Sequence, residues 1–196
     1  MTTINRPITD EKILSTARAL FTQLGFRAVG VDLIAKESGV SKMTMYRHFK
    51  SKEEVIAIYL EEQDQLVQKW FDSVILPYHG SPREQIIAIF DELQKSLREE
   101  VHAGDPFQIA AAEFPELTNP THQLALQHKK SILKRFETLS LDAGAASPDK
   151  LANQLMLLYE GALISARVYG LENPGRNLAK AAKVLLAESL GKKSKK

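Results

Sequence analysis

The chain has 196 residues, 44 % of them hydrophobic, with 26 Lys plus Arg against 24 Asp plus Glu and no cysteine. That length and apolar content predict one or two globular domains and exclude intrinsic disorder and collagen-like repeats, and the lack of thiols excludes disulfide frameworks, thiolate metal sites and cysteine nucleophiles. The charge is unevenly placed: residues 1–52 hold nine basic and four acidic side chains, residues 53–190 thirteen basic and twenty acidic, and the last six residues add four lysines. A basic first quarter ahead of an acidic body predicts an anionic partner at the N-terminal end.

Met1 to Asp10 form a polar stretch without an apolar h-region, and no apolar run approaches the roughly 20 residues of a membrane span. A cytoplasmic protein with no membrane association is expected. Apolar residues then recur at helical spacing at Ile13, Ala17, Leu20, Phe21 and Leu24, which predicts a helix over 9–25 closed by Gly25.

The next stretch, VDLIAKESGVSKMTMYRHFKSK from Val31 to Lys52, has the pattern of two short helices, 31–37 and 42–48, around a turn at Gly39. Ser41 can cap the second helix. Ile34, Val40, Met45 and Phe49 then face inward, leaving Lys42, Met43, Thr44, Tyr46, Arg47 and His48 on or near the open face. Helix-turn-helix proteins lay the N-terminal part of such a second helix in the major groove while flanking donors hold phosphates. Spacing and charge alone leave ordinary core architecture as the competing reading.

Downstream, the chain is punctuated by capping residues followed by proline: Ser81-Pro82, Asp105-Pro106, Asn119-Pro120, Ser147-Pro148 and Asn173-Pro174. A side-chain oxygen at N-cap and a proline at N1 mark a helix start. Ser51 with Glu54, and Ser81 with Glu84, match the capping box. Further helices are therefore predicted near 52–75, 82–102, 106–114, 120–143, 148–170 and 174–190, with Gly80, Gly104, Gly144, Gly170 and Gly191 as stops and Gly161 the one glycine inside a helix. The fold class is all-α with about nine helices: an N-terminal three-helix domain over 1–52, a helical body over 53–190 and a basic tail, 191–196, expected to be disordered.

The first 60 residues resemble the DNA-binding domain of the TetR family of bacterial transcriptional regulators. The resemblance rests on ILSTARALFTQLGF and on VDLIAKESGVSKMTMYRHFKSKEEV, the latter matching the pattern IA-x-x-x-GVSK-x-T-x-Y-x-HF-x-x-KE. It implies that Ser41, Lys42, Met43, Thr44 and Arg47 face bases and nearby phosphates, that Tyr46 and His48 touch the DNA backbone, and that Lys52 binds phosphate at the start of the fourth helix. Gly30 departs from the family's capping Ser or Thr, and Met43 replaces a frequent Gly. Met43 could meet thymine methyl groups or pack on the helix behind it, whereas Lys42 or Arg47 could pair with guanine N7 and O6.

The body, with GDPFQIAAAEFP at 104–115, HKKSILKRF at 128–136 and LYEGALISARVYG at 158–170, is similar to one large subgroup of that family, in which Asp105 takes the place of a frequent cysteine. In this family that part of the chain senses a small molecule and dimerises. The candidate pocket residues are Trp70, Phe90, Phe107, Phe114 and Tyr159, with Glu113, His128 and Arg167 as polar anchors. Gly161, Ala162, Ser165 and Ala166 allow close helix approach, and Leu178, Ala182, Leu185 and Leu186 form an apolar stripe. These features predict a homodimer through the last two helices.

No enzyme is expected. Phosphate-binding loops, HExxH and G-x-S-x-G motifs are absent, and the single Glu99–His102 pair lacks the second Glu-x-x-His a di-iron bundle needs. No metal or cofactor is called for. The expected partners are a double-stranded DNA operator, an unidentified small-molecule effector and a second copy of the chain. The expected function is a ligand-responsive regulator, with repression released by the effector; the alternative is a helical small-molecule-binding protein with no specific DNA role.

Overall fold

The computed structural model describes residues 6–99, 104–172 and 174–191. Among them lie nine α-helices and no strand: α1 (Ile8–Leu24), α2 (Val31–Ser38), α3 (Lys42–His48), α4 (Lys52–Ile75), α5 (Pro82–Glu99), α6 (Pro106–Glu113), α7 (Pro120–Asp142), α8 (Pro148–Tyr169) and α9 (Leu178–Ser189). Short 3₁₀ turns follow α4 at Leu76–Tyr78 and precede α9 at Gly170–Glu172 and Pro174–Asn177. His102 of the Glu99–His102 pair and the lysines of the basic tail lie outside the described residues.

The capping logic explains several helix starts, but Ser147 makes no side-chain hydrogen bond to the first turn of α8, which Pro148 marks by its fixed φ instead. Four helices begin at the proline that follows a capping residue. Ser51 Oγ accepts from the Glu54 N–H at 3.3 Å, and Asn119 Oδ1 accepts from the Thr121 N–H at 2.8 Å. The seven glycines predicted as stops all have positive φ. One boundary differs: α9 starts at Leu178, not near 174. Residues 174–177 read Pro-Gly-Arg-Asn, and a glycine and an asparagine this early in a helix hold the chain in a tighter 3₁₀ turn before the Leu- and Ala-rich segment takes over.

The chain divides into two compact units. One comprises residues up to Asp64 together with Pro106–Leu126; the other comprises Gln65–Asp105 with Gln127 onward. The core of the first is built where α1 turns Ile13, Leu14, Ala17 and Phe21 inward against Phe26, Ile34, Met45 and Phe49. Phe21, Phe26 and Tyr59 form an aromatic triangle with centroid separations of 5.1, 5.7 and 5.9 Å. Burying each ring contributes about 2–3 kcal/mol, enough to hold helices as short as α2 and α3 that could not persist alone.

In the second unit α5, α8 and α9 pack together around Phe71, Phe90, Phe136 and Tyr159. Phe90 stacks on Phe136 at 5.7 Å. Ala162 and Ala166 of α8 and Ala179 and Ala182 of α9 are all buried, and such short side chains let two helices approach closely.

Candidate nucleic-acid interface

The turn between α2 and α3 is closed from both sides. Gly39 sits in the left-handed region at φ 64°, ψ 29°, its N–H bonded to Lys36 O while the Val40 N–H reaches Ala35 O at 3.0 Å, a Schellman stop. Two residues later the Ser41 hydroxyl accepts from the Thr44 N–H at 2.9 Å and lies 2.8 Å from the Thr44 hydroxyl, so α3 starts immediately. The interval is too short for the chain to do anything but reverse onto its own core, and Met45 and Phe49 anchor it there with 1 % and 4 % exposure.

That anchoring leaves the opposite side of α3 in solvent. Met43 is 83 % exposed, Tyr46 is 50 % exposed, and Ser41, Lys42 and Arg47 are exposed as well. Met43 therefore projects outward and does not pack on the helix behind it. Thr44 is half-buried in its bond to Ser41. His48 sits lower on the helix, its Nδ1 2.5 Å from Asp10 Oδ1, which ties the end of α3 to the first turn of α1. Lys52, at the start of α4, donates to Phe26 O at 3.2 Å. Lys42 lies 2.8 Å from Asp32 on α2, and the hydrogen bond and charge of that carboxylate hold its ammonium protonated above the usual range. Gly30 precedes α2 with extended backbone and no side-chain cap; a Cβ there would meet nothing within 4 Å, so steric crowding does not explain the glycine.

α1 and α4 are joined by an ion cluster that composition alone did not reveal. Arg18 of α1 donates from Nε to Glu62 Oε2 at 2.8 Å and from a terminal nitrogen to Glu62 Oε1 at 3.1 Å, Arg6 joins the same carboxylate, and Arg18 also reaches Glu11 at 2.8 Å. Burial pulls the Glu62 carboxyl up, but the bonds from Arg18 and Arg6 and their positive charge outweigh it and leave it below the usual carboxylate range.

The eight candidate pocket residues are divided between the two compact units. Phe107, Glu113 and Phe114 belong to the first unit: Phe107 is core, Phe114 lies under the Arg27 guanidinium at 5.7 Å, and Glu113 accepts from the Arg27 N–H at 2.6 Å. In the second unit, Phe90 is core, His128 is buried, and Arg167 is exposed with its side chain over Gly104. Trp70 and Tyr159 do come together, lining a hollow of about 250 Å³ with Leu66, Val67, Leu93 and Ser96. Burial, then the charges of Asp105 and Glu160, push the Tyr159 phenol above its usual range. Lys129 bridges Asp105 and Glu160, the latter at 2.7 Å. Asp105 looked like a simple helix cap; its position before Pro106 gave no hint of this second role. Among the described residues no cluster of three His, Asp or Glu is placed to hold a metal ion, and no helix is long and apolar enough to cross a membrane.

The apolar stripe of α9 is spent inside the chain: Leu178, Ala182 and Leu186 are buried and only Leu185 is half-exposed. The large apolar side chains that α8 and α9 leave exposed are Leu157 (73 % exposed), Val168 (69 %), Tyr169 (60 %), Val184 (59 %) and Ile164 (45 %), with Gly161 and Ser165 between Leu157 and Val168 on α8. A 3.6-residue period finds an apolar face but does not say which of two neighbouring faces meets the chain's own core.

A short helix capped at its start, anchored by one apolar face and presenting a mixed cationic, hydroxyl and apolar face to solvent has the form of the second helix of a helix-turn-helix motif. The family model for bacterial regulatory proteins of the tetR family matches residues 13–57. The regulator LmrA of Bacillus subtilis is 35 % identical over 131 residues, which are 65 % of this chain and 68 % of LmrA. The uncharacterized regulator YhgD of the same organism is 35 % identical over 83 residues, 40 % of this chain and 43 % of that protein. The crystal structure of a TetR-family transcriptional regulator from Streptomyces coelicolor superimposes with a TM-score of 0.86 at 23 % identity, covering 93 % of this chain and 90 % of that one. The chain belongs to the TetR family of bacterial transcriptional regulators, with an N-terminal helix-turn-helix DNA-binding domain and a C-terminal helical domain.

Proposed function

We propose that this regulator is a homodimeric repressor that reads its operator with α3 and releases it when a small molecule binds in the second unit. The observation that carries the reading is the outward face of α3, where Lys42, Met43, Tyr46 and Arg47 stand in solvent above a rigid, capped turn. Ser41, Thr44, His48 and Lys52 complete the contact set: hydroxyls and an imidazole at the rim for phosphate, and a lysine at the start of α4. Twofold symmetry fits the task, because a dimer places two such helices in successive major grooves. The open apolar positions Leu157, Val168 and Val184, with Gly161 among them, supply a self-complementary face for a second copy.

The hollow beside Trp70 and Tyr159 is the candidate effector site, apolar along most of its wall. An effector acts by binding the DNA-incompetent state more tightly than the competent one; about 100-fold preference corresponds to about 2.7 kcal/mol of coupling.

The test is a reporter assay. A duplex enriched by this protein from a random-sequence library is placed in a bacterial promoter, and reporter output is read with and without the regulator and across a library of small apolar compounds. Repression by the regulator, relieved by at least one compound that also raises its melting temperature, supports the reading. Failure of the folded protein to enrich any sequence argues for a ligand-binding protein without a DNA role, and unchanged reporter output from an enriched duplex argues against repression.

A further inference from the structure

The outward cations of α3 are in different electrostatic situations. Arg47 has no acidic partner among the described residues, whereas the Lys42 ammonium lies 2.8 Å from the Asp32 carboxylate across the α2–α3 corner. Both members of the pair are solvated, Lys42 at 54 % and Asp32 at 78 % side-chain exposure. An exposed pair of this kind adds little to folding stability. Asp32 is in the first turn of α2, where the helix dipole already favours it without a lysine. The pair therefore has small structural value, and its consequence falls on whatever approaches the corner.

We infer that Asp32 is a specificity-determining residue: by pairing with Lys42 it masks a recognition-helix cation from DNA phosphates, so that random sequence gains little from Lys42. The inference rests on the DNA-binding reading above. A lysine that neutralises one phosphate releases about 0.9 of a counterion, a gain every sequence offers equally. Within the pair that gain is cancelled, because drawing Lys42 to a phosphate strands a bare carboxylate beside a polyanion. Opening the pair is offset only where the duplex presents an acceptor to Lys42 and a donor to Asp32 together, such as guanine O6 or N7 beside a cytosine or adenine amino group in the major groove. Masking thus lowers affinity for competing DNA more than for a matching site, and the ratio between the two is what determines selectivity in a genome.

The experiment compares wild type, Asp32→Asn, Lys42→Met and the double variant on two labelled duplexes over a salt series: one enriched by the wild-type protein from a random library, and its shuffled counterpart. Asn at 32 is nearly isosteric on an exposed position, and circular dichroism checks the fold. Asp32→Asn should tighten shuffled DNA by about fivefold at about 0.1 M salt and steepen its salt slope by about 0.9. The enriched duplex should change by less than about twofold, so selectivity falls by at least about 2.5-fold. In the Lys42→Met background the same substitution should shift both duplexes by one common factor. Equal tightening of both duplexes by Asp32→Asn in the wild-type background would mean a plain net-charge effect and overturn the inference. Weakening of the enriched duplex with no tightening of the shuffled one would mean that Asp32 acts only through its own base contact, without masking Lys42, and would overturn it as well. If the wild-type protein enriches no sequence and binds without salt dependence, the DNA-binding reading fails and the inference with it, an outcome visible before any variant is made.

Discussion

Glu113, the last residue of α6, accepts a 2.6 Å hydrogen bond from the backbone N–H of Arg27, 86 residues earlier in the chain. The same carboxylate lies against Gly25: a Cβ on that residue, whose φ is +79°, would collide with Glu113 Oε1. The turn that leads from α1 into the helix-turn-helix is thus held by an acidic side chain from a distant helix, and Gly25 serves both its left-handed geometry and that contact.

Removing this link should loosen the turn. Glu113→Ala should cost about 1–2 kcal/mol of stability, the worth of a hydrogen bond to a charged acceptor, read by urea unfolding of the purified protein. Gly25→Ala should cost at least as much, since it adds strain at positive φ to displacement of the carboxylate. A Gly25→Ala variant as stable as wild type would show that the contact is not required.

The Glu62 cluster makes the stability of the first unit depend on pH in a definite direction. Its carboxyl titrates below the unfolded range in the folded chain, so the stabilisation it brings is complete above the unfolded pKa of about 4.3 and is lost as pH falls through the lower folded value. Glu62→Gln should lower the melting temperature at neutral pH and narrow its gap to wild type as the solution is acidified below about pH 4. A gap that stays constant through that range would contradict the assignment.

Much of this architecture is legible in the sequence, because local signals decide it. Prolines after capping residues fixed the starts of α5 to α8, Gly39 and Ser41 fixed the α2–α3 turn, and the outward set on α3 followed from the inward set of Ile34, Met45 and Phe49. What was not legible depends on pairs far apart in the chain. Nothing near Glu113 in sequence announces its bond to Arg27, and the link from Arg18 to Glu62 spans 44 residues. The pairing of Lys42 with Asp32, only ten residues away, is not legible either: charge along a helix is visible, but which neighbour it meets across a turn is set by packing. The burial of Leu178, Ala182 and Leu186 of α9 within the chain is not legible for the same reason, since periodicity cannot tell an intrachain face from an interchain one.

Within α3, two cations should behave differently. Arg47→Ala should cost about 1–3 kcal/mol on an enriched duplex and relax base preference at one position per half-site. Lys52→Ala should weaken every duplex by a similar factor and flatten the salt slope by about 0.9. Competition binding with single-base variants separates the two. Equal losses for Arg47→Ala on enriched and shuffled DNA would show that it contacts only phosphate.

The open face of α8 and α9 predicts the oligomeric state. Val168→Asp with Leu157→Asp places charges on exposed positions of the single chain, so its fold should persist. In a dimer the same charges would be buried unpaired, at a cost of about 3 kcal/mol or more and hence at least about 100-fold in association. Sedimentation equilibrium should show a dimer for wild type and a monomer for the variant at micromolar concentration. A variant that remains dimeric would place the interface elsewhere.

The most direct test of the central claim, that α3 reads specific DNA, is the fluorescence anisotropy of wild-type protein on its enriched duplex and on the shuffled duplex at about 0.05 and 0.2 M salt. Specific reading predicts saturable binding to the enriched duplex about 1,000-fold or more tighter than to the shuffled one, with both weakening steeply as salt rises. Weak binding of equal strength to both duplexes at both salt concentrations would contradict it.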